Sequence, residues 1–186
     1  MTTPFGSYIQ GLPAASSISL TDQVYVLQAG GISRTALVHQ VTTNSIAITN
    51  DISITNNNSL ANLAGLSLTV NAGETYVIQA VLFIKSGAHT GGVQAAFGGT
   101  ATATDIRYDG WCPDSKQVQG YVQVSVLGSA VASAITASDS TTVYMTGCIT
   151  VNAGGTLTVQ GAQNTSSGTA TIFARGSWFS VKHTYP

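Results

Sequence analysis

The sequence predicts an all-β chain, a jelly-roll β-sandwich with an extended N-terminal arm. Apolar residues alternate at period two in nearly every segment, β-branched residues abound, and helical spacing with capping residues is almost absent. Clusters of Gly, Asn, Asp and Ser cut the alternating runs into short strands. The chain divides into an arm over residues 1–44, a β connector over 45–59 and a jelly-roll domain over 60–186.

The arm opens with IQGLPAASSISL over residues 9–20, a Pro- and Ser-rich stretch. DQVYVLQ then reads as a strand, Gly30 and Gly31 as its turn, and ISRTALVHQV as a second strand running into a short helix. A piece of this size cannot bury a core of its own, so it is expected to dock on a partner or on its own copies. In SIAITNDISIT, residues 45–55, Ile46, Ile48, Ile52 and Ile54 alternate with polar positions, as a strand with one covered face would. NNNSLANLAG then reads as a turn-rich break.

From Leu66 onward the strand-like runs are LSLTV, ETYVIQAVLFIK, GGVQAAF, ATDIRY, QGYVQVSVL, TVYMTGCITV, TLTVQG, TATIFA and SWFSVKH. About nine or ten strands in roughly 120 residues suit two sheets joined by jelly-roll connections. ETYVIQAVLFIK places Tyr76, Ile78, Ala80, Leu82 and Ile84 on one face and Val77, Val81 and Phe83 on the other. A strand apolar on both faces is central, or its outer face meets another subunit.

Charge restricts the function. Only six Lys or Arg and seven Asp or Glu occur among 186 residues, 7% charged against roughly 25% in ordinary soluble domains. A net charge of −1 without any Lys/Arg cluster excludes nucleic acid as the partner, because phosphate binding needs a basic face. No apolar run reaches the roughly 20 residues that cross a bilayer, and MTTPFGSYIQG has neither the basic nor the apolar part of an export signal, so no membrane association is expected. Sheet edges with so few charges are poorly guarded against unwanted pairing, which favours burial against identical copies.

No cofactor, metal or catalytic centre is expected. Cys112 and Cys148 lack the spacing of a zinc site and read as buried free thiols. His39, His89 and His183 sit in no nucleophile-elbow or other catalytic pattern. Asp105, Asp109 and Asp114 form the one local carboxylate group, without the spacing of a calcium loop. Alternation puts Arg107 on the face of Asp105 and Asp109, which reads as a structural salt bridge. Tyr108 and Trp111 beside it would supply flat amphipathic surfaces for sugar or subunit contact. Trp178 and Phe179 point to opposite faces, one into the sandwich and the other outward.

Two resemblances lie on particular residues. The segment Ile9-Gln10-Gly11-Leu12-Pro13-Ala14-Ala15, with Asp22 to Gln28, Gly30 to Thr35 and Val38 to Val41, resembles the N-terminal motif that attaches bacteriophage tail fibres and tailspikes to the virion. It departs from that pattern at Val41, where the motif has Leu, and no long receptor-binding β-helix follows. The resemblance implies a docking role for Leu12, Pro13, Asp22, Tyr25, Leu27, Leu37 and Val41.

Leu68 to Tyr76, Gly91-Gly92 and Gly155 to Gly161 with the closing strands Ala170 to Val181 look like phage virion proteins whose C-terminal domain is a jelly roll of the tumour-necrosis-factor and complement-like type. That resemblance implies a homotrimer. Tyr76, Tyr108, Trp111, Trp178 and Phe179 are then the expected trimer or surface contacts. Together these readings point to a non-enzymatic virion protein, assembled in the host cytoplasm and docked by its arm on phage capsid or tail proteins. It would serve as a capsid decoration, cement or head fibre, the alternative being a short tail fibre recognising a host surface glycan.

Overall fold

The computed structural model describes residues 23–27, 33–37, 43–86, 91–113, 118–133 and 140–184, and all regular structure among them is β-strand. The chain divides into two compact units, Met1–Gln40 and Val41–Pro186. In the first, β1 (Gln23–Leu27) and β2 (Ser33–Leu37) pair antiparallel, with Gln23 opposite Leu37 and Leu27 opposite Ser33. This is the hairpin that the alternation around Gly30 and Gly31 predicts. The short helix expected after Leu37 lies outside the described residues.

The second unit is a sandwich. β3 (Thr43–Ala47), β4 (Ile52–Ile54), β5 (Ala61–Val70), β6 (Thr75–Ser86) and β7 (Val93–Gly99) come first. β8 (Thr102–Pro113), β9 (Val118–Val124), β10 (Val131–Ser133), β11 (Thr141–Ala153), β12 (Gly155–Ala162), β13 (Thr171–Phe173) and β14 (Trp178–Thr184) complete it. The small sheet runs β10-β7-β12-β5 and the large one β3-β14-β6-β11-β8-β9, with β13 bridging β4 and β6. Without β4, β8, β9 and β13, the remaining strands interleave as β3-β14-β6-β11 over β5-β12-β7-β10. That interleaving, with all strand pairs antiparallel, is the double Greek key of a jelly roll. The β8-β9 hairpin is an addition that widens the large sheet beyond β11.

Residues 45–59, expected as a connector, belong to the head. β3 pairs with β14 from Thr43 opposite Lys182 to Ala47 opposite Trp178, and β4 pairs with β13. The isoleucine alternation holds across both strands because Ile48 is buried and Ile46, Ile52 and Ile54 pack against the same core. The head therefore starts within the stretch 1–44 assigned to the arm.

The turn-rich break also needs correction, since β5 already begins at Ala61. Leu63 and Leu66 are three residues apart, and strict alternation would send them to opposite faces. Both are buried, because the ladder with β12 slips between Ser67 opposite Thr158 and Asn62 opposite Gln160. Gly65 inside that bulge has a φ of 86°, a conformation that costs glycine little and other residues more.

The core joins the sheets through aromatic rings. Phe97 of the small sheet meets Tyr108 edge-on at 5.1 Å and Phe179 at 5.7 Å, both of the large sheet. These separations lie in the favourable range for aromatic pairs. Loops are tied down by single polar groups. The fully buried Gln163 accepts from the Asn57 and Ser167 backbone N–H groups and donates to the Thr169 carbonyl. Ser177 accepts from the Phe83 N–H and donates to the Ala174 carbonyl, fixing the turn that enters β14.

Gly147 of β11 lies opposite Tyr108 of β8. A Cβ there would stand 2.3 Å from the Arg107 carbonyl oxygen and 2.5 Å from the Tyr108 Cβ. Gly147→Ala is expected to cost about 1–3 kcal/mol, since backbone rather than a flexible side chain must move. Its thermal midpoint should fall by roughly 2–10 °C. Gly168→Ala, whose Cβ would meet only an ordinary contact with Asn56 at 3.8 Å, should stay within about 0.5 kcal/mol of wild type. Equal midpoints for the two variants would contradict this packing.

Candidate functional site

The outer face of the large sheet carries the unusual surface. Burial of Tyr76, Ile78, Ala80, Leu82 and Ile84 commits the odd-numbered positions of β6 outward, and burial of Ile106 and Tyr108 does the same on β8. On β11, buried Val143, Met145 and Ile149 turn the even positions out. On β14, Phe179 and Val181 go in and Trp178 stays out.

Register then assembles rows across the strands. Trp178 lies opposite Val81, Val81 opposite Tyr144 and Tyr144 opposite Trp111, so three aromatic residues and a valine line up over β14, β6, β11 and β8. The Trp111 and Tyr144 rings are 5.4 Å apart and inclined by 32°. Trp111 is 39% exposed and Tyr144 44%, and Phe83, the next outward residue along β6, is 42% exposed. A fully satisfied monomeric surface rarely leaves so many large apolar groups together.

One step along the strands the row is polar. Ser180 faces Gln79, Gln79 faces Thr146, and Thr146 faces Asp109. A depression of about 350 Å³ joins the two rows, with Trp178 on one side, Tyr144 and Trp111 on the other, and Gln79, Thr146 and Asp109 along its length. Small Val81 between two large rings makes the slot.

Beyond it the surface is charged but sparsely so. Arg107 Nε is 3.9 Å from Asp105 Oδ1, as the alternation predicted. Both groups are well exposed, and such pairs contribute little to stability. Past Phe83, the Lys85 ammonium reaches Asp51 at 3.3 Å. The Arg175 backbone N–H, with help from Lys85, holds the Asp51 carboxyl below its ordinary range.

The predicted contact residues separate into two groups. Trp111 and Trp178 stand on the outer face. Tyr76, Tyr108 and Phe179 are core residues, because their positions in the alternation face the opposite sheet. Tyr76 donates to Glu74 and lies 5.3 Å from the His183 ring, while Tyr108 donates to the Ser129 carbonyl. Cys148, expected to be buried, is exposed because it shares the outward parity of Tyr144. Among the arm positions, Tyr25 pairs with Thr35 in the hairpin ladder, as Leu27 does with Ser33 and Leu37 with Gln23. Leu12, Pro13, Asp22 and Val41 lie outside the described residues, as do His39, His89 and Asp114. Among the described residues, no three His, Cys, Asp or Glu gather where they could hold a metal ion.

Tyr144 was missed from sequence, since nothing in TVYMTGCITV says which strand lies beside it. The alternation that puts Val77, Val81 and Phe83 on one face of β6, together with Trp111 and Trp178, is the part of the slot that the sequence signals.

No protein family and no curated protein matches this chain. Among solved structures, it is similar to a chain in the structure of infectious bursal disease virus Gt strain, at 8% identity and a TM-score of 0.24, covering 92% of this chain and 45% of the other. A crystal structure of the infectious bursal disease virus VP2 subviral particle gives 9% identity and a TM-score of 0.23, over 94% of this chain and 50% of that one. The chain thus spans half or less of the length of these structures. Likeness at this level carries no argument, and the jelly-roll assignment rests on the strand order described above.

Burial pushes the Tyr108 hydroxyl up to about 12, with the Phe97 backbone N–H, as a donor toward the phenol oxygen, offsetting part of the rise. The folded chain therefore keeps this proton after the unfolded chain, near its ordinary value of 10.0, has lost it. Stability contributed here is complete below about pH 10 and is lost as pH rises toward about 12. In an ultraviolet titration the Tyr108 contribution should appear above the ordinary tyrosine range, and Tyr108→Phe should remove that contribution. Retention of that contribution in the variant would contradict the assignment.

Proposed function

We propose that the chain is a non-enzymatic bacteriophage virion protein, attached through its N-terminal residues and displaying the jelly-roll head as a homotrimer. The observation that carries this reading is the succession of two unlike parts. Residues from Ile9 to Val41 resemble the attachment motif of phage tail fibres, and they lead into a jelly roll with very few charges.

The β1-β2 ladder supports the first part, since the motif-like residues on either side of Gly30 and Gly31 pair as a hairpin in a unit of their own. The 7% charged content of the chain, against roughly 25% in ordinary soluble domains, supports self-association of the second. In this role the mechanism is geometrical. Three arms joined through one head bind with high effective concentration even where each contact is weak. On a capsid the head serves as a decoration or cement protein or as a head fibre. The aromatic slot favours a second placement, on a short tail fibre, where the head meets the host surface.

The full chain is expected to sediment at three times its 19.0 kDa mass. Removing residues 1–41 should leave a soluble trimeric head that no longer joins particles. A monomer would remove the trimer from this proposal, and truncated protein on purified virions would remove the arm. Copy number separates the two placements, hundreds per particle for a decoration protein against a few tens at most for a tail fibre.

A further inference from the structure

We infer that the slot between Trp178 and the Tyr144 and Trp111 rings binds a pyranose sugar. The inference rests on the outer face of the large sheet and not on the virion role. A pyranose has two unlike parts to satisfy: a ring face of weakly positive C–H groups, and a rim of hydroxyls that each need a donor or an acceptor. The slot offers both in the right order.

The aromatic row supplies the first part. Aromatic faces carry negative quadrupole density, which attracts C–H groups, and rigid rings present that area at low entropic cost. Trp111 and Tyr144 are each more than a third exposed, so ring surface is open to a ligand seated above Val81. The polar row supplies the second. The exposed Gln79 amide donates and accepts and the exposed Thr146 hydroxyl does either, while the half-buried Asp109 carboxylate, whose Oδ1 is closed to solvent, adds an acceptor only through Oδ2. These groups sit on adjacent central strands, where backbone ladders on both sides hold them in place. A volume of about 350 Å³ lies at the low end of the roughly 300–1,000 Å³ of small-ligand sites, which suits one sugar unit.

Other occupants fit the chemistry less well. A phosphate-bearing ligand would meet the Asp109 carboxylate, and among the described residues no Lys or Arg lines the slot. A lipid chain or apolar peptide would leave the exposed Gln79 and Thr146 side chains desolvated, at about 1–3 kcal/mol for each group left without a partner. A second copy lying face to face would bring the same carboxylate against the same surface. Sugar hydroxyls meet all three polar groups without adding charge.

The test is titration of the full chain with free glucose, galactose, mannose and N-acetylglucosamine, read by saturation-transfer NMR on the sugar and by tryptophan fluorescence. At least one sugar should bind saturably, with a dissociation constant on the order of 1–10 mM. Trp111→Ala and Trp178→Ala should each weaken it about tenfold or more, and Asp109→Asn about threefold or more. Melting curves and near-ultraviolet circular dichroism establish that each variant is folded. Should a tryptophan variant fail to fold, Asp109→Asn and Thr146→Val carry the test.

Absence of transfer from every sugar up to roughly 100 mM would overturn the inference. So would sugar binding unchanged in the folded slot variants, which places the ligand elsewhere. Conversion of the slot variants from trimer to monomer with no sugar bound by wild type would make this face a subunit contact instead. Loss of particle incorporation on removal of residues 1–41 is read separately, so either conclusion can fail alone.

Discussion

Phe97 packed between Tyr108 and Phe179 is the contact on which the sandwich depends. It ties the small sheet to two strands of the large one that are not neighbours in either sequence or sheet, since β6 and β11 lie between β14 and β8. Burying large side chains of this kind is worth about 1.5–3 kcal/mol each, and the edge-on geometry adds to that. Its larger effect is on direction. Because a strand alternates strictly, putting Tyr108 and Phe179 inside leaves Arg107, Asp109, Trp111 and Trp178 outside. One core contact thus fixes which residues the head can present.

The outer face follows from that commitment together with register. The aromatic row spans four strands from different parts of the sequence, and a slip of a single residue in any of them would turn an aromatic side chain inward. Gly147 protects the register where β11 meets β8, because no side chain fits there. The Tyr108 hydroxyl bond to Ser129 and the Gly128 N–H bond to the Phe97 carbonyl hold the β9-β10 connection against the same centre. Core, register and slot are one arrangement, and the backbone ladders on both sides hold its outward side chains in fixed positions.

The shortage of charge has a structural counterpart at the sheet edges. Edge strands are normally guarded by lysines, by shortness or by bulges. Here β10 at one edge of the small sheet is three residues long, and β5 at the other is bulged around Gly65. Hydroxyl and amide pairs take the place of ion pairs on that sheet, as between Ser67 and Thr158 at 2.8 Å and between Gln160 and Asn62 at 2.9 Å. The edges are thus guarded in part by geometry. Among the described residues, Lys85, Asp105, Arg107, Asp109 and Lys182 place charge on the outer face of the large sheet.

Period-two alternation alone was sufficient to give the all-β class, the strands containing the nine apolar runs after Leu66, the two faces of β6 and the opposite orientations of Trp178 and Phe179, because which way a side chain points is a local property of a pleated strand. Sequence did not show the short β10, whose three residues carry too little pattern, or the first half of β5, residues 61–65, where the Gly65 bulge breaks the period. It gave the parity of Tyr108 and Tyr76 but not the meaning of that parity, since inside and outside are defined only when a second sheet covers one face. The same holds for Cys148. The slot was least legible of all, for its walls come from β14, β6, β11 and β8. Strand order and register bring those residues together, and both are set by long-range pairing and core packing that no local stretch encodes.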